Sequence, residues 1–387
     1  MSTQWLFPQS LWQELRAIVK HPAIVLTVFG GTLFYSFLYP LPYANQVAQE
    51  QTVAVVNLDK SQTSYQLERM VDATPQVAIT HRVHAIEDAK SLFLSQQVSG
   101  ILVIPEHFYR DLMLGKSPVL SYAGDASYFL VYGAVVEGLA QASGTLAAKA
   151  KVVKLLADGI PLAKASELYS PVHLNIKPTF NPEMGYVDYV VPAVFVLILH
   201  QTLIMGAGLL TAHQKNTNTP SAYWHKMSSL SLVSHRVFVF GVLYLALSLY
   251  YFGFSFDFYE INRLASISNV FVLLIPFLIS TGAVGIVLGS LLPRTELVTL
   301  IVLVSSMPLI FTAGFIWPVE SLPQPLIWIA NALPSTPAIQ GFLKLNQMGA
   351  QLWQIKDLVT QLWGLAFIWF GIAWIRMRNS DAQSLAG

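Results

Sequence analysis

Gly115-Lys116-Ser117 has the ending of a phosphate-binding loop. Such a loop cradles phosphates on backbone N–H groups while its Lys reaches the outer phosphates, and its full signature needs a Gly five residues before the second one. Arg110 stands there. No other stretch offers a nucleotide cradle, so ATP hydrolysis by this chain is not expected. The nine His contain no H-E-x-x-H pair and no ligand cluster, so no metal site is expected. His81 and His84 lie three apart, and a solvated pair fits that spacing better than zinc. A nucleophile elbow of the G-x-S-x-G type is missing. Cysteine is absent, which excludes thiolate and disulfide chemistry.

His200, followed by Gln201 and Thr202, is a different case, because it sits midway along a charge-free run. An ionisable group at membrane depth is by default a functional candidate, and His200 with Gln201 is the candidate for lining a translocation path. A proton relay needs further stations, and no Asp or Glu lies in any charge-free run. The competing reading is a neutral imidazole hydrogen-bonded to a neighbouring helix. Gly285 and Gly289, a G-x-x-x-G, are helix-packing candidates, within one chain or between two.

The elements that must hold these residues follow from hydropathy. The chain has 387 residues, 54% hydrophobic and 11% charged, well below the quarter or so charged in soluble domains. Six runs lack Asp, Glu, Lys and Arg: 23–39, 189–212, 237–254, 267–292, 297–317 and 358–375. Each approaches the length that crosses a hydrocarbon core about 30 Å thick. The fold class is therefore an α-helical integral membrane protein with six transmembrane helices, one plus five, and an α/β extracytoplasmic domain inserted after the first helix. More than twenty residues precede the first run, which is longer than a signal h-region, so an uncleaved anchor is preferred over cleavage near Ala44. With the N-terminus inside, Arg16, Lys20, Lys215, Lys226, Arg236, Arg294, Arg376 and Arg378 are inner, against Arg263, Lys344 and Lys356 in the short outer segments. That asymmetry puts both termini in the cytoplasm and the long insert outside.

Residues 1–22 read as a cytoplasmic amphipathic helix lying in the interface, with Leu11, Trp12, Leu15, Ile18 and Val19 on one face and Gln13, Glu14, Arg16 and Lys20 on the other. Trp5, Phe7 and Trp12 suit the headgroup region. The first transmembrane helix is 23–39. The insert, 40–186, predicts strands at 52–56, 77–80, 100–104 and 119–123, with helices at 65–71, 86–97 and 108–114 between them. That alternation implies a mixed sheet with at least one covered face. A Pro-free stripe over 127–157 predicts a long helix able to stand as a stalk. Pro161, Pro171, Pro178 and Pro182 punctuate the return. Five spans fill 187–378. Residues 214–235 form an inner loop in which Pro220 can start a short helix. Residues 318–345, apolar but broken by Pro, form an outer re-entrant segment. Residues 379–387 are a cytoplasmic tail.

Several segments resemble, in order and spacing, the permease subunits of the type-2 ABC transporter family, in the exporter branch with a large outer domain after the first span. They are the amphipathic helix with the first span; Val53-Ala54-Val55-Val56-Asn57-Leu58-Asp59; Gly100-Ile101-Leu102-Val103-Ile104-Pro105-Glu106-His107-Phe108; Gly115-Lys116-Ser117-Pro118 leading to Gly124-Asp125-Ala126-Ser127; and Gly314-Phe315-Ile316-Trp317-Pro318-Val319-Glu320-Ser321-Leu322-Pro323 before Leu333-Pro334. The resemblance implies a permease that binds no cofactor of its own, with ATP and Mg used by a separate cytoplasmic ABC ATPase. It also implies a second permease copy or a sister permease. Trp12, Arg16, Lys215, Tyr223, Trp224 and Lys226 then become the ATPase-coupling candidates. The expected location is the bacterial inner membrane, among membrane lipid and without nucleic acid, and the outer domain could meet a periplasmic adaptor. A lipid-like or drug-like amphipathic cargo suits the apolar spans. One departure stands out. Where many members carry an acidic, Arg-containing stretch ending in Gly-Thr after the second span, this chain reads His213-Gln214-Lys215-Asn216-Thr217-Asn218-Thr219. Two other classes remain: a receptor or assembly platform without an ATPase, and a proton-coupled secondary transporter, which would need acidic span residues and repeat symmetry.

Overall fold

The computed structural model describes residues 7–43, 48–169, 179–181, 185–217 and 222–386. The chain divides into two compact units, Asn45–Pro178 and the combination of Met1–Ala44 with Thr179–Gly387. Trp5, Pro171, Pro178, Pro182 and Pro220 lie outside the described residues, as does the side chain of Phe7.

Among the described residues, the larger unit holds six helices long and apolar enough to cross a membrane: Pro22–Tyr43, Val190–Asn216, Ser229–Phe258, Ile267–Leu291, Thr295–Thr312 and Leu352–Asn379. A charge-free run closes its backbone hydrogen bonds within itself, the only way a single segment survives in hydrocarbon. The second span is 94% buried and the fourth 72%, whereas the fifth is 17% buried and the sixth 22%. The second and fourth spans are therefore the axis of the bundle, and the fifth and sixth turn most of their apolar surface outward. Because lipid is as apolar as Leu, helices in a membrane associate by close packing rather than by escape from water. Glycine supplies that closeness here. A methyl on Gly285 would lie 2.7 Å from Ile204 O, and one on Gly289 would run into Gly208 O. Both glycines thus face the second span of the same chain, with Gly208 opposite them.

Some bounds differ from those read in the sequence. The third span begins at Ser229, so His235 and Arg236, expected in a loop, lie inside a helix and are buried. The inner loop shrinks accordingly, and Tyr223–Lys226 forms a single 3-10 turn in it. The fifth helix stops at Thr312, where Gly314 takes φ +86°. The last helix runs Lys356–Ala386, carrying helical backbone through most of the expected tail. The Pro-broken outer segment forms Gln324–Asn331 and Ser335–Asn346, the second of them packed into the bundle by Ala338, Ile339, Phe342 and Leu345.

The smaller unit is a four-stranded sheet in the order β2-β1-β3-β4, with β1 Gln51–Asn57, β2 Val77–Val83, β3 Gly100–Ile104 and β4 Ser121–Gly124. β1 pairs parallel with β2 and β3, and β4 closes antiparallel to β3. Side chains alternate across a strand, and β1 divides accordingly. Val53 and Val55 join Leu67, Val71, Leu102, Ile104 and Phe108 on one face, while Ala54 and Val56 join Ala89, Val98 and Ile101 on the other. The long helix Phe129–Ala157 was expected to be free to stand as a stalk. Instead it lays Val135, Leu139, Ala142 and Leu146 onto the first face, because that stripe completes the larger core. Burying each of the Val and Leu side chains stabilises the unit by about 1.5–3 kcal/mol.

Candidate functional site

The strongest assembly of polar side chains in the larger unit lies where the N-terminal helix Phe7–Lys20 meets the second and third spans. The expected apolar face of that helix is only partly the buried one. Ser10, Glu14 and Ile18, spaced four apart, point inward, and Trp12 and Val19 are turned out. Placing Glu14 on the solvated face is thus corrected. It is 0% exposed, and the reason is Arg236, itself 1% exposed. Arg236 Nη2 donates to Glu14 Oε1 at 3.1 Å, and Nε approaches Oε2 at 3.5 Å. The rest of the guanidinium fork is used as well: Nη1 donates to Thr211 Oγ1 at 2.8 Å, and Nη2 also bonds Gln214 Oε1. A buried charge is tolerable only when paired and hydrogen-bonded, and Arg presents five donors in a planar fork suited to this.

Gln214 carries the network onward by donating from Nε2 to Tyr223 Oη at 3.0 Å. Burial, with the negative Glu14 nearby, raises the Tyr223 phenol above its ordinary pKa, so it remains a neutral hydroxyl. One chain of contacts therefore joins the N-terminal helix, the end of the second span, the start of the third, and the loop between them. A second set of bonds fixes the same corner to the fourth span. Lys215 Nζ donates to Ser290 O at 3.0 Å and Asn216 Nδ2 to Pro293 O at 3.3 Å. Lys215 is thereby a cationic cap on the C-terminus of Ile267–Leu291, where the helix dipole favours positive charge. Beside this corner, the rings of His21 and His213 meet edge to face at 4.7 Å. Burial, then the charge of His213, lower the pKa of His21.

Of the six coupling candidates, Trp12, Arg16 and Lys226 are exposed on this corner, Tyr223 and Trp224 are half-buried in it, and Lys215 is engaged with the fourth span. The sequence reading missed Glu14, Thr211, Gln214 and Arg236. The signal available was an Arg directly abutting a charge-free run, and a Glu in register with Ser10 and Ile18 at intervals of four.

The second span is tied at its other end too. Asp188 Oδ1 accepts from Asn262 N at 3.2 Å, Gln347 Nε2 donates to Asp188 O at 2.8 Å, and Asn346 Nδ2 donates to Asn262 O at 3.3 Å. Between these two clamps, His200 is 1% exposed and lies over Phe277 at a ring-centroid distance of 6.3 Å. Neither of its nitrogens has a hydrogen-bond partner among the described residues, and Gln201 Nε2 has none either. The bond to a neighbouring helix considered for His200 is therefore not made. A small apolar void nearby is lined by Val196, Leu199, Phe252, Leu273, Phe277 and Phe342.

Comparison with known proteins adds the family. The sequence model described as "ABC-2 family transporter protein" matches residues 22–375. The chain is also 21% identical over 336 residues to YbhR of Escherichia coli K12, described as a probable multidrug ABC transporter permease, covering 82% of this chain and 83% of that protein. The same identity and coverage hold for YbhR of Escherichia coli O157:H7.

Proposed function

This chain belongs to the ABC-2 transporter family, and from that premise we propose that it is the membrane permease of an ATP-driven exporter. ATP, with Mg, is hydrolysed by a separate cytoplasmic ATPase, and the permease works beside a second copy or a sister permease. The observation that carries this reading is the buried Glu14–Arg236 pair. It fastens the N-terminal amphipathic helix to the third span and, through Thr211 and Gln214, to the second. Closure of an ATPase dimer against Trp12, Arg16, Lys226 and the 3-10 turn Tyr223–Lys226 would act on that corner. Arg236, Thr211 and Gln214 would pass the displacement to the second span, which Asp188 and Gln347 clamp at its far end. A helix anchored at both ends moves as a rod, the kind of element that rigid-body transitions use.

The excess of basic residues in the short loops on one side supports cytoplasmic termini, with this corner on the ATPase side and the unit Asn45–Pro178 outside the bacterial inner membrane. There the outer unit is positioned to meet a periplasmic adaptor. The description of YbhR as a multidrug permease, with the apolar character of the spans, favours an amphipathic or drug-like cargo.

The test is purification of tagged full-length chain from its native membrane in mild detergent. An ABC ATPase should co-purify, and cargo-stimulated ATP hydrolysis should appear on reconstitution in liposomes. Substitution of the exposed Arg16 and Lys226 by Glu should weaken ATPase recovery while the permease remains folded. Recovery of the permease without a nucleotide-binding subunit would count against the exporter reading.

A further inference from the structure

Gly115-Lys116-Ser117, discarded as a nucleotide loop, lies at the mouth of an apolar groove in the smaller unit. The groove runs between the helices Gln62–Asp72 and Phe108–Met113 on one side and Phe129–Ala157 on the other. Its first lobe, about 390 Å³, is floored by Leu67, Phe108, Leu112, Leu120 and Leu146. Its second lobe, about 550 Å³, shares Leu112 and Leu146 and continues past Met113, Val152 and Val153. Both volumes fall in the range of small-molecule sites. Leu67, Phe108 and Leu146 belong to the core of the unit, so the groove opens directly onto it.

The charge along the groove is one-sided. Among the described residues, the charged ones lining the groove are Lys116 in the first lobe and Lys149 in the second, with no Asp or Glu in either. A third ammonium stands at the same mouth, since a methyl added at Gly115 would lie 2.5 Å from Lys154 Nζ. Asp111 Oδ1 approaches Lys116 Nζ at 3.8 Å while also accepting from Arg110, so it only partly offsets one of the three. Among the described residues no ion pair engages Lys149 or Lys154. On the long-helix wall, Ser143 Oγ donates to Leu139 O and Thr145 Oγ1 to Gln141 O, while Ser117 and Thr63 add hydroxyls to the lining. What remains for a ligand is an apolar channel with cations at its rim. Gly144 sharpens the point. It sits mid-helix, where Gly costs about 1 kcal/mol relative to Ala, yet a methyl there would meet nothing within 4 Å. No packing contact requires it, and it widens the groove.

We propose that this groove binds a single-chain amphipathic anion, its acyl tail in the apolar channel and its carboxylate or sulfate headgroup among Lys116, Lys149 and Lys154. That such a ligand is cargo in passage rests on the exporter reading; that it binds does not.

The test uses purified full-length chain in lipid nanodiscs, without ATPase or nucleotide, so that its outcome is separate from coupling. The probes are photoreactive hexadecanoic acid and the matching photoreactive hexadecanol, with cross-links mapped by mass spectrometry. The acid should label segments 108–120 and 143–153 about five- to tenfold more than the alcohol, the scale of a few exposed charge pairs. The K116Q/K149Q/K154Q variant should reduce acid labelling to the alcohol level. Gly144→Leu, which fills the groove from a position with free space, should reduce labelling by both probes. Equal labelling by acid and alcohol in the unaltered chain would overturn the anionic headgroup, and labelling unchanged in Gly144→Leu would overturn the groove.

Discussion

Removing Glu14 is the sharpest perturbation of the candidate coupling corner. Glu14→Ala leaves Arg236 with Thr211 and Gln214 but no anion, in a site where its guanidinium is 1% exposed. Breaking a buried ion pair from one side costs about 3–5 kcal/mol, because the surviving charge is stranded. Replacing both partners by apolar groups of similar volume is often close to neutral, because the desolvation of both charges is recovered. Glu14→Leu strands Arg236 in the same way, so both single variants, Glu14→Leu and Arg236→Leu, should lower the thermal midpoint of the detergent-solubilised chain. The E14L/R236L double variant should be more stable than either. Total stabilities of folded proteins run about 5–15 kcal/mol, so the single variants should also show reduced yield. Paired sites of this kind give coupling energies of about 0.5–3 kcal/mol in a double-mutant cycle. Additive losses, with the double variant the least stable of the three, would refute the buried pair.

Packing, pH and the far clamp offer further tests. Gly289→Ala pushes a methyl into Gly208 O and should destabilise the bundle strongly, whereas Gly282→Ala, whose nearest neighbour is 3.9 Å away, should be tolerated; comparable thermal midpoints for the two would contradict the packing of the second and fourth spans. His21 has its pKa lowered from 6.5 in the folded chain, so the unfolded chain binds its proton first, and the stability His21 contributes is present above about pH 6.5 and lost as pH falls. A thermal-shift series from pH 8 to 5 should fall less steeply for His21→Gln, and parallel curves would exclude His21 as a source of the slope. Gln347→Ala removes the donor to Asp188 O, a bond worth about 0.5–1.5 kcal/mol; hydrogen exchange at the start of the second span should speed up, and protection unchanged there would mean that the clamp carries little.

The sequence made the spans and the sheet legible for the same reason: each rests on a local pattern. A charge-free run long enough to cross a bilayer has few alternatives, and each of the six runs lies largely within helix, although the fifth leaves it after Thr312. The β-branched runs at 52–56 and 100–104 became the two central strands because strands covered on both faces are apolar at every position. What was not legible depended on partners distant in sequence. Arg236 read as a loop residue because charge normally marks the end of a span; only Glu14, more than two hundred positions away, makes its burial affordable. Glu14 looked solvated because Gln13, Arg16 and Lys20 share its segment. The long helix read as a stalk because its stripe does not reveal which surface will cover it. Gly285 and Gly289 announced close packing, but the choice between a neighbour in the chain and one in another copy required Gly208 opposite them.

The stretch His213-Gln214-Lys215-Asn216-Thr217, which lacks the acids and the glycine expected from the family resemblance, turns most of its polar groups to bonds within the chain. Gln214 is committed to Arg236 and Tyr223, Lys215 to Ser290 O, and Asn216 to Pro293 O. Polar groups engaged in this way are spent on internal structure and are poorly placed to grip a second protein. Exposed at this corner are the outward side of the N-terminal helix, with Trp12, Arg16 and Lys20, and the end of the 3-10 turn at Lys226. That surface is basic and carries one large aromatic, a combination common among interface anchors. On the exporter reading, an ATPase docking here would meet the helix first and the inner loop second. Its contact face should then be acidic, in complement to Arg16 and Lys20, with an apolar seat for Trp12. The Glu14–Arg236 pair would be the joint through which that contact reaches the spans.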